Sequence, residues 1–280
     1  SYPETVLKKL VTTLHHPIHV DKEIDLTSEK SFLKRLSIKR WYSFLNFQKK
    51  NLKAVKKVIS PSLSSKNDIC RYFDYPSKNI SVIWNGINLD DCKFHQRENF
   101  NANFVTIISA DVPMKNLKTV LKALYLLKQD GLNAKLTIVG DLRKDNKKLI
   151  DRLGLTKEIT YKSKLPRKQL IQALNNADIG IAPSEYEGFG FPLVEMIATG
   201  LPVIVSDKAS LPELAGNAGL IFNSDDSNEL KEKMKELVEN ETLRNKVTEN
   251  SKLRRDDFFG WDEYAKKLED LYKEIISGNI

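Results

Sequence analysis

The stretch IGIAPSEYEGFGFPLVEMIATGLPVIVS, Ile179 to Ser206, decides how this chain is read. It opens on a short apolar run, Ile179–Pro183, and breaks into a loop with two glycines. A helical period follows near Pro192–Thr199, and a second β-branched run, Val203–Ser206, closes it. A strand, a helix and a second strand in such quick order predict a parallel pair with a crossover helix. The loop carries the chemistry. Gly188 and Gly190 let the backbone approach a ligand with no Cβ in the way. Pro192 suits the first position of a helix, where its missing N–H would be unpaired anyway. The remaining N–H groups of that turn, with the helix dipole, make an anion site. Glu187 precedes the helix and Glu195 stands about one turn inside it. A carboxylate accepts paired hydrogen bonds from vicinal hydroxyls such as those of a ribose or a sugar. An anion site with two hydroxyl acceptors describes a nucleotide-sugar site.

The same alternation extends in both directions. Strands are expected at Phe104–Ser109, Lys135–Val139, Ile159–Tyr161 and Gly219–Phe222. Helices are expected near Asn116–Gln129, up to Leu153, near Lys168–Asn175, at Pro212–Ala215 and near Asn228–Glu239. This pattern implies a parallel sheet with helices on both faces, whose ligands bind beyond the carboxyl ends of the strands. Before residue 104 only Leu10–Leu14, Lys57–Ser60 and Ile80–Trp84 read as strands. Asn85–Gly86 and the polar residues 90–103 read as a linker. Trp261–Ile276 is an amphipathic helix, with Trp261, Tyr264, Leu268, Leu271, Tyr272 and Ile275 at helical spacing.

The 280 residues carry a net charge of +8, and residues 1–100 hold all of it, with 18 Lys/Arg against 10 Asp/Glu. Between Lys30 and Lys66 stand 11 basic and no acidic residues, interleaved with Phe32, Leu33, Leu36, Trp41, Phe44, Leu45, Phe47, Leu52 and Val55. One or two basic helices with an aromatic face are expected there. Three uses compete: scaffold with the aromatic face on a core, a surface meeting anionic lipid, or nucleic-acid binding by charge and stacking. The last ranks lowest, since nothing else resembles a nucleic-acid module, and no nucleic-acid partner is expected. An apolar content of 41 % excludes a disordered chain. No run of about 18 apolar residues reads as a transmembrane helix. SYPETVLKKL lacks the apolar core of a signal peptide. Cys70 and Cys92 make neither a disulfide framework nor a metal set, which fits a reducing, cytoplasmic setting.

Pro-Ser, then Glu-Gly-Phe-Gly, then Pro-Leu-Val-Glu, then Gly-Leu-Pro-Val-Ile, in this order from Pro183, strongly resembles the donor site of the retaining glycosyltransferases of family 4. The resemblance runs from about Thr12 to Tyr272. It implies the GT-B fold: α/β, two Rossmann-like domains with parallel sheets. It also implies roles. Glu195 would hold the ribose hydroxyls, and Glu187 would face the transferred sugar. The backbone of Gly188, Phe189 and Gly190 would contact that sugar. The first helical turn near Leu193 and Val194 would receive a phosphate.

Residues 109–117, SADVPMKNL, resemble the family's cationic loop. Lys115 and Asn116 match it, and Lys115 would neutralise the departing diphosphate. Ala110 stands where the family usually has arginine. Val11-Thr-Thr-Leu-His15-His16-Pro17 resembles the strand end whose His faces the donor sugar, and His15 is the match. His15, His16, His19 and Asp21 together would make a conceivable metal set, but the family generally needs neither metal nor cofactor. Asn85-Gly86-Ile87-Asn88 resembles the turn opening the second domain, with Asn88 for Asp.

These readings give residues 1–86 as a partial acceptor-side domain and 87–257 as the nucleotide-sugar domain. Residues 258–280 are expected to be a helix crossing back to the first. The earlier strands and glycine-rich loop of the family's first domain are not found, so a shortened member is expected. The implied reaction moves a hexosyl group from a nucleotide-diphosphate sugar to a glycan or lipid-linked acceptor, at the inner face of the membrane if residues 30–66 meet lipid. A nucleotide-sugar-binding module without transferase activity and a basic membrane-surface protein are the alternatives.

Overall fold

The computed structural model describes Pro3 and residues 10–97, 99–108 and 111–277. Ala110, where the family's arginine was missing, lies outside the described residues. The chain forms two compact units. One comprises Ser1–Asn85, Tyr186–Phe189 and Tyr264–Ile280, and the other Gly86–Glu185 and Gly190–Glu263.

The first unit has a parallel three-stranded sheet among the described residues, β1 (Val11–Thr13), β2 (Lys57–Ser60) and β3 (Ile80–Val82), with β2 in the middle. The third strand ends at Val82, not Trp84, because its pairing with β2 stops where Ser60 meets Val82. Between β1 and β2 run α1 (Ile18–Ser28), α2 (Phe32–Trp41) and α3 (Leu45–Leu52). Between β2 and β3 comes α4 (Leu63–Phe73), which Ser62 caps by accepting from the Ser65 amide. The core holds Leu52, Val55, Val58, Ile69, Phe73 and Ile80.

The reading of an aromatic face packed on a core holds only in part. Leu45, Leu52 and Val55 are buried, but Phe32, Leu33, Leu36, Trp41, Phe44 and Phe47 are exposed. The reason is local. α2 has no buried residue, so both its charges and its apolar side chains lie at the surface.

The second unit is a parallel six-stranded sheet in the order β6-β5-β4-β7-β8-β9. Its strands are β4 (Asn103–Ile107), β5 (Lys135–Val139), β6 (Ile159–Lys162), β7 (Ile179–Ala182), β8 (Val203–Ser206) and β9 (Gly219–Phe222). β7 and β8 are buried at every position, as expected of central strands covered on both faces. The helices are α5 (Leu117–Gln129), α6 (Lys144–Arg152), α7 (Arg167–Asn175), α8 (Phe191–Ala198), α9 (Leu211–Ala215), α10 (Ser227–Glu239) and α11 (Glu241–Arg255), and α12 (Trp261–Ser277) begins in this unit. α5 places Leu117, Val120, Leu121, Leu124 and Leu127 in the core against Phe104, Leu136 and Ile138.

Arg97 ties residues 95–97 to the C-terminal ends of α7 and α8. Its guanidinium donates to the carbonyls of Leu174, Ala177, Thr199 and Gly200. Burial lowers its pKa to about 10, and Asp178 opposes that shift.

Asp226 caps α10 by accepting from the amides of Asn228 and Glu229. Asp226→Ala is expected to cost about 1 kcal/mol and to lower Tm by roughly 2–4 °C. An unchanged melt would show that this cap does not hold the helix.

Candidate functional site

In the second unit β4 lies between β5 and β7, so the connections leave β4 in opposite directions at this point. The crevice outside the carboxyl ends of such a pair is where open α/β sheets bind ligands. The loop after β4 makes one 3-10 turn, Pro113–Lys115, and then Asn116 takes a left-handed conformation at φ 50°. The Asn116 amide donates to the carbonyls of Pro183 (3.1 Å) and Ser224 (2.8 Å), and its oxygen accepts from Thr119. Both donor hydrogens of Asn116 are therefore engaged by backbone. Its side chain thus joins the loops after β4, β7 and β9. Lys115, at the end of the same turn, is half-buried.

The loop after β7 is fixed in turn. The Glu185 amide donates to Met114 O at 2.7 Å, and Ser206 Oγ donates to Ser184 O at 2.6 Å. Burial pushes the Glu185 carboxyl above its ordinary range, while the hydroxyl of Ser224 at 3.1 Å opposes that shift. Glu185 escaped the sequence reading because it lies outside the Glu187/Glu195 spacing. The segments after β4 and β5 line a cavity of about 300 Å3, with Asp111, Pro113, Asn116, Lys118, Arg143 and Asn146 in its wall.

Gly190 caps α8 at φ 113°, a conformation that disfavours any side chain. The helix begins at Phe191, so Pro192 holds its second position, one later than expected. The Val194 amide donates to Gly190 O and closes the first turn, and the side chains of Leu193 and Val194 are buried. A phosphate at this helix start would therefore meet the turn ahead of Val194. Glu195 is three-quarters or more covered and is paired with Arg167 at the start of α7. Arg167 also donates to Asp91 (3.1 Å) and to Cys92 Sγ (3.2 Å). The spacing of the glutamates gave no signal for this partner.

The first unit holds the other expected residues. His15 is exposed at the end of β1, and its carbonyl lies 3.2 Å from Ser65 Oγ. The segment Tyr186–Phe189 belongs to this unit. Gly188 O accepts from Ser62 Oγ (2.7 Å) and from Ser65 Oγ (3.0 Å), so its acceptor capacity is filled and a ligand would meet the amides of this loop. A Cβ on Gly188 would stand 2.2 Å from His15 O. Tyr186 OH donates to Asp68 at 2.9 Å, and burial raises the Asp68 carboxyl. Glu187 is half-buried and Phe189 is buried. Ser62, Ser65, Asp68 and Tyr186 were missed because no spacing pairs them with Gly188. The histidines separate: His16 bonds Asp21 at 2.9 Å, and His19 packs between Tyr72 and Phe73. Among the described residues no group of three His, Cys, Asp or Glu side chains could hold a metal ion.

The fold and these loops define a GT-B-type α/β protein. The chain belongs to the glycosyl transferases group 1 family, whose model matches residues 90–254, and the glycosyltransferase family 4 model matches residues 7–91. The chain is similar to the MMP alpha-(1->4)-mannosyltransferase of Mycolicibacterium hassiacum, with 30 % identity over 96 % of this chain and 66 % of the relative. It is also similar to the O-antigen chain mannosyltransferase RfbU of Salmonella typhimurium, with 29 % identity over 78 % and 62 %. It thus spans slightly under two thirds of the length of these curated relatives. The sucrose-phosphate synthase of Thermosynechococcus elongatus shares the fold at a TM-score of 0.76 and 20 % identity, over 96 % of this chain and 68 % of that one.

Gly188→Ala must move a backbone carbonyl, which yields less readily than a side chain. The substitution is expected to cost about 1–3 kcal/mol and to speed amide hydrogen exchange across residues 186–189. Exchange and Tm both equal to the parent's would show that the approach of His15 to Gly188 does not fix this loop.

Proposed function

We propose that the protein is a retaining hexosyltransferase that uses a nucleotide-diphosphate sugar and needs no metal or separate cofactor. The observation that supports this most is Glu195: a carboxylate only 15 % exposed, one turn inside the helix that follows the loop after β7. On this reading Glu195 accepts the ribose hydroxyls. Lys115 and the start of α8 take the diphosphate, where preorganised positive charge stabilises the departing phosphate. Glu187, the amides of residues 188–190 and His15 are assigned to the sugar. The bond from the anomeric carbon to the β-phosphate oxygen breaks, and the acceptor oxygen bonds that carbon on the same face. The acceptor's proton passes to the leaving phosphate. No side-chain base is then required.

The relatives named as mannosyltransferases make a mannosyl donor the first to test, with a glycan or lipid-linked hydroxyl as acceptor. A nucleotide that binds the native state raises its melting temperature. Glu195→Ala is expected to weaken nucleotide diphosphate binding by about 10–100-fold, the loss of charged hydrogen bonds of roughly 1.5–3 kcal/mol. Glu187→Ala is expected to abolish turnover with little change in that affinity. If both variants bind and transfer like the parent, the site assignment fails. Binding without turnover on any acceptor would favour the sugar-binding module.

A second reading concerns place. Among the described residues no helix is long and apolar enough to cross a membrane. Phe32, Leu33 and Trp41 are 73 %, 76 % and 75 % exposed beside Lys34, Arg35, Lys39 and Arg40. This combination supports contact with an anionic lipid surface at its cytoplasmic face, where each basic residue contributes about 1 kcal/mol. Co-sedimentation with vesicles rich in phosphatidylglycerol should retain the protein at low salt, and Leu33→Glu with Trp41→Glu should release it. Equal retention on neutral phosphatidylcholine vesicles, or none on either, would leave α2 as scaffold.

A further inference from the structure

Glu195 poses a problem that its assigned role does not solve. Its side chain is 15 % exposed, and burial pushes its carboxyl above the ordinary range. A neutral carboxyl offers a donor where the ribose needs acceptors. The neighbourhood contains the remedy. α8 has no other titratable side chain. Arg167, from the first turn of α7, donates through one terminal nitrogen to Glu195 Oε1. Asp91 and Cys92, from the segment before β4, face the same guanidinium through its Nε and its second terminal nitrogen. Among the described residues no hydrogen bond is formed to Glu195 Oε2. Partial burial works against the charge on Arg167, and the carboxylates of Glu195 and Asp91 outweigh it, so the guanidinium is held above its ordinary value. Burial raises the Cys92 thiol to about 11, so it adds no charge near neutrality.

We propose that Arg167 is a positioning residue for the nucleotide: it keeps Glu195 ionised and turned so that Oε2 faces the ribose hydroxyls, while Asp91 and Cys92 hold the guanidinium from behind. The tether matters. An arginine fixed at three points stays in place when the ligand arrives, whereas one held by Glu195 alone would compete with the ribose. Lysine keeps the charge but loses the fork that reaches Glu195, Asp91 and Cys92 together. This inference rests on the reading that Glu195 takes the ribose.

The test is the pH profile of nucleotide binding by the whole chain, with GDP and UDP as probes, across about pH 5.5–8.5. In the parent, affinity should change mainly as the terminal phosphate of the probe titrates at about pH 6, and every variant's profile is read relative to that one. In Arg167→Gln the burial of Glu195 is unopposed, so it binds a proton at higher pH. Affinity should then fall as pH falls, by up to about tenfold per unit below the new pKa, and recover on the alkaline side. Arg167→Lys should restore most of the parent's profile. Glu195→Gln, which cannot ionise, should bind weakly at every pH with no slope beyond the parent's. A thermal melt of each variant separates misfolding from a changed profile, and a variant that melts early is replaced by Arg167→Met. Two results overturn the proposal while leaving the site intact: an Arg167→Gln profile parallel to the parent's, or tighter binding by that variant at all pH values. If Glu195→Gln binds like the parent, the ribose assignment itself fails.

Discussion

The Asn116 amide is the constraint on which the second unit's loops depend. Two donor hydrogens reach carbonyls that belong to the loops after β7 and β9, and the residue itself begins the helix after β4. Three segments that the sheet order brings to one edge are thereby held together. Asparagine fits for a physical reason. It tolerates the left-handed conformation observed here and supplies two donors on one short side chain. The half-buried Lys115 is presented from the residue just before it. The backbone from which this lysine projects is held by the bonds of the next residue.

The first unit solves a similar problem by other means. Ser60, Ser62 and Ser65 are fully buried hydroxyls at the end of β2 and the start of α4. Ser60 donates to Ser62 O, Ser62 caps the helix, and Ser62 and Ser65 both reach the Gly188 carbonyl. Hydroxyls suit this work because each both donates and accepts. One short polar cluster therefore starts a helix and anchors a loop more than a hundred residues away in sequence.

What could be read beforehand follows from the same physics. The strands Ile179–Ala182 and Val203–Ser206 were legible because burial on both faces leaves no place for a charged residue. The Glu187/Glu195 pair was legible because its spacing is local to one loop and one helix. α11 was not, since only Val247 and Ser251 along it are buried, and so weak a stripe shows no period. Nor were Ser62, Ser65, Asp68 or Arg167. Each meets its partner only after the chain has folded, and nothing in their local sequence marks that meeting. The exposure of Phe32, Leu33 and Trp41 was misjudged in part for a related reason: a basic–aromatic helix looks alike in sequence whether its rings face a core or solvent.

The two units place charge according to opposite rules. The first carries the whole net excess and shows it on α2 and α3, where water screens each lysine and arginine and no carboxylate between residues 30 and 66 answers them. The second is neutral over residues 86–185 and 190–263, with 26 basic and 26 acidic residues, yet it largely covers Arg97 and Glu195, each of which needs specific partners. Displayed charge acts at a distance and weakens with salt, which suits a broad anionic surface. Buried charge acts over one hydrogen bond and hardly feels salt. It suits the discrimination of a hydroxyl from water. An ionic-strength series should therefore weaken whatever the first unit's helices hold more steeply than it weakens the hydroxyl contacts assigned to Glu195.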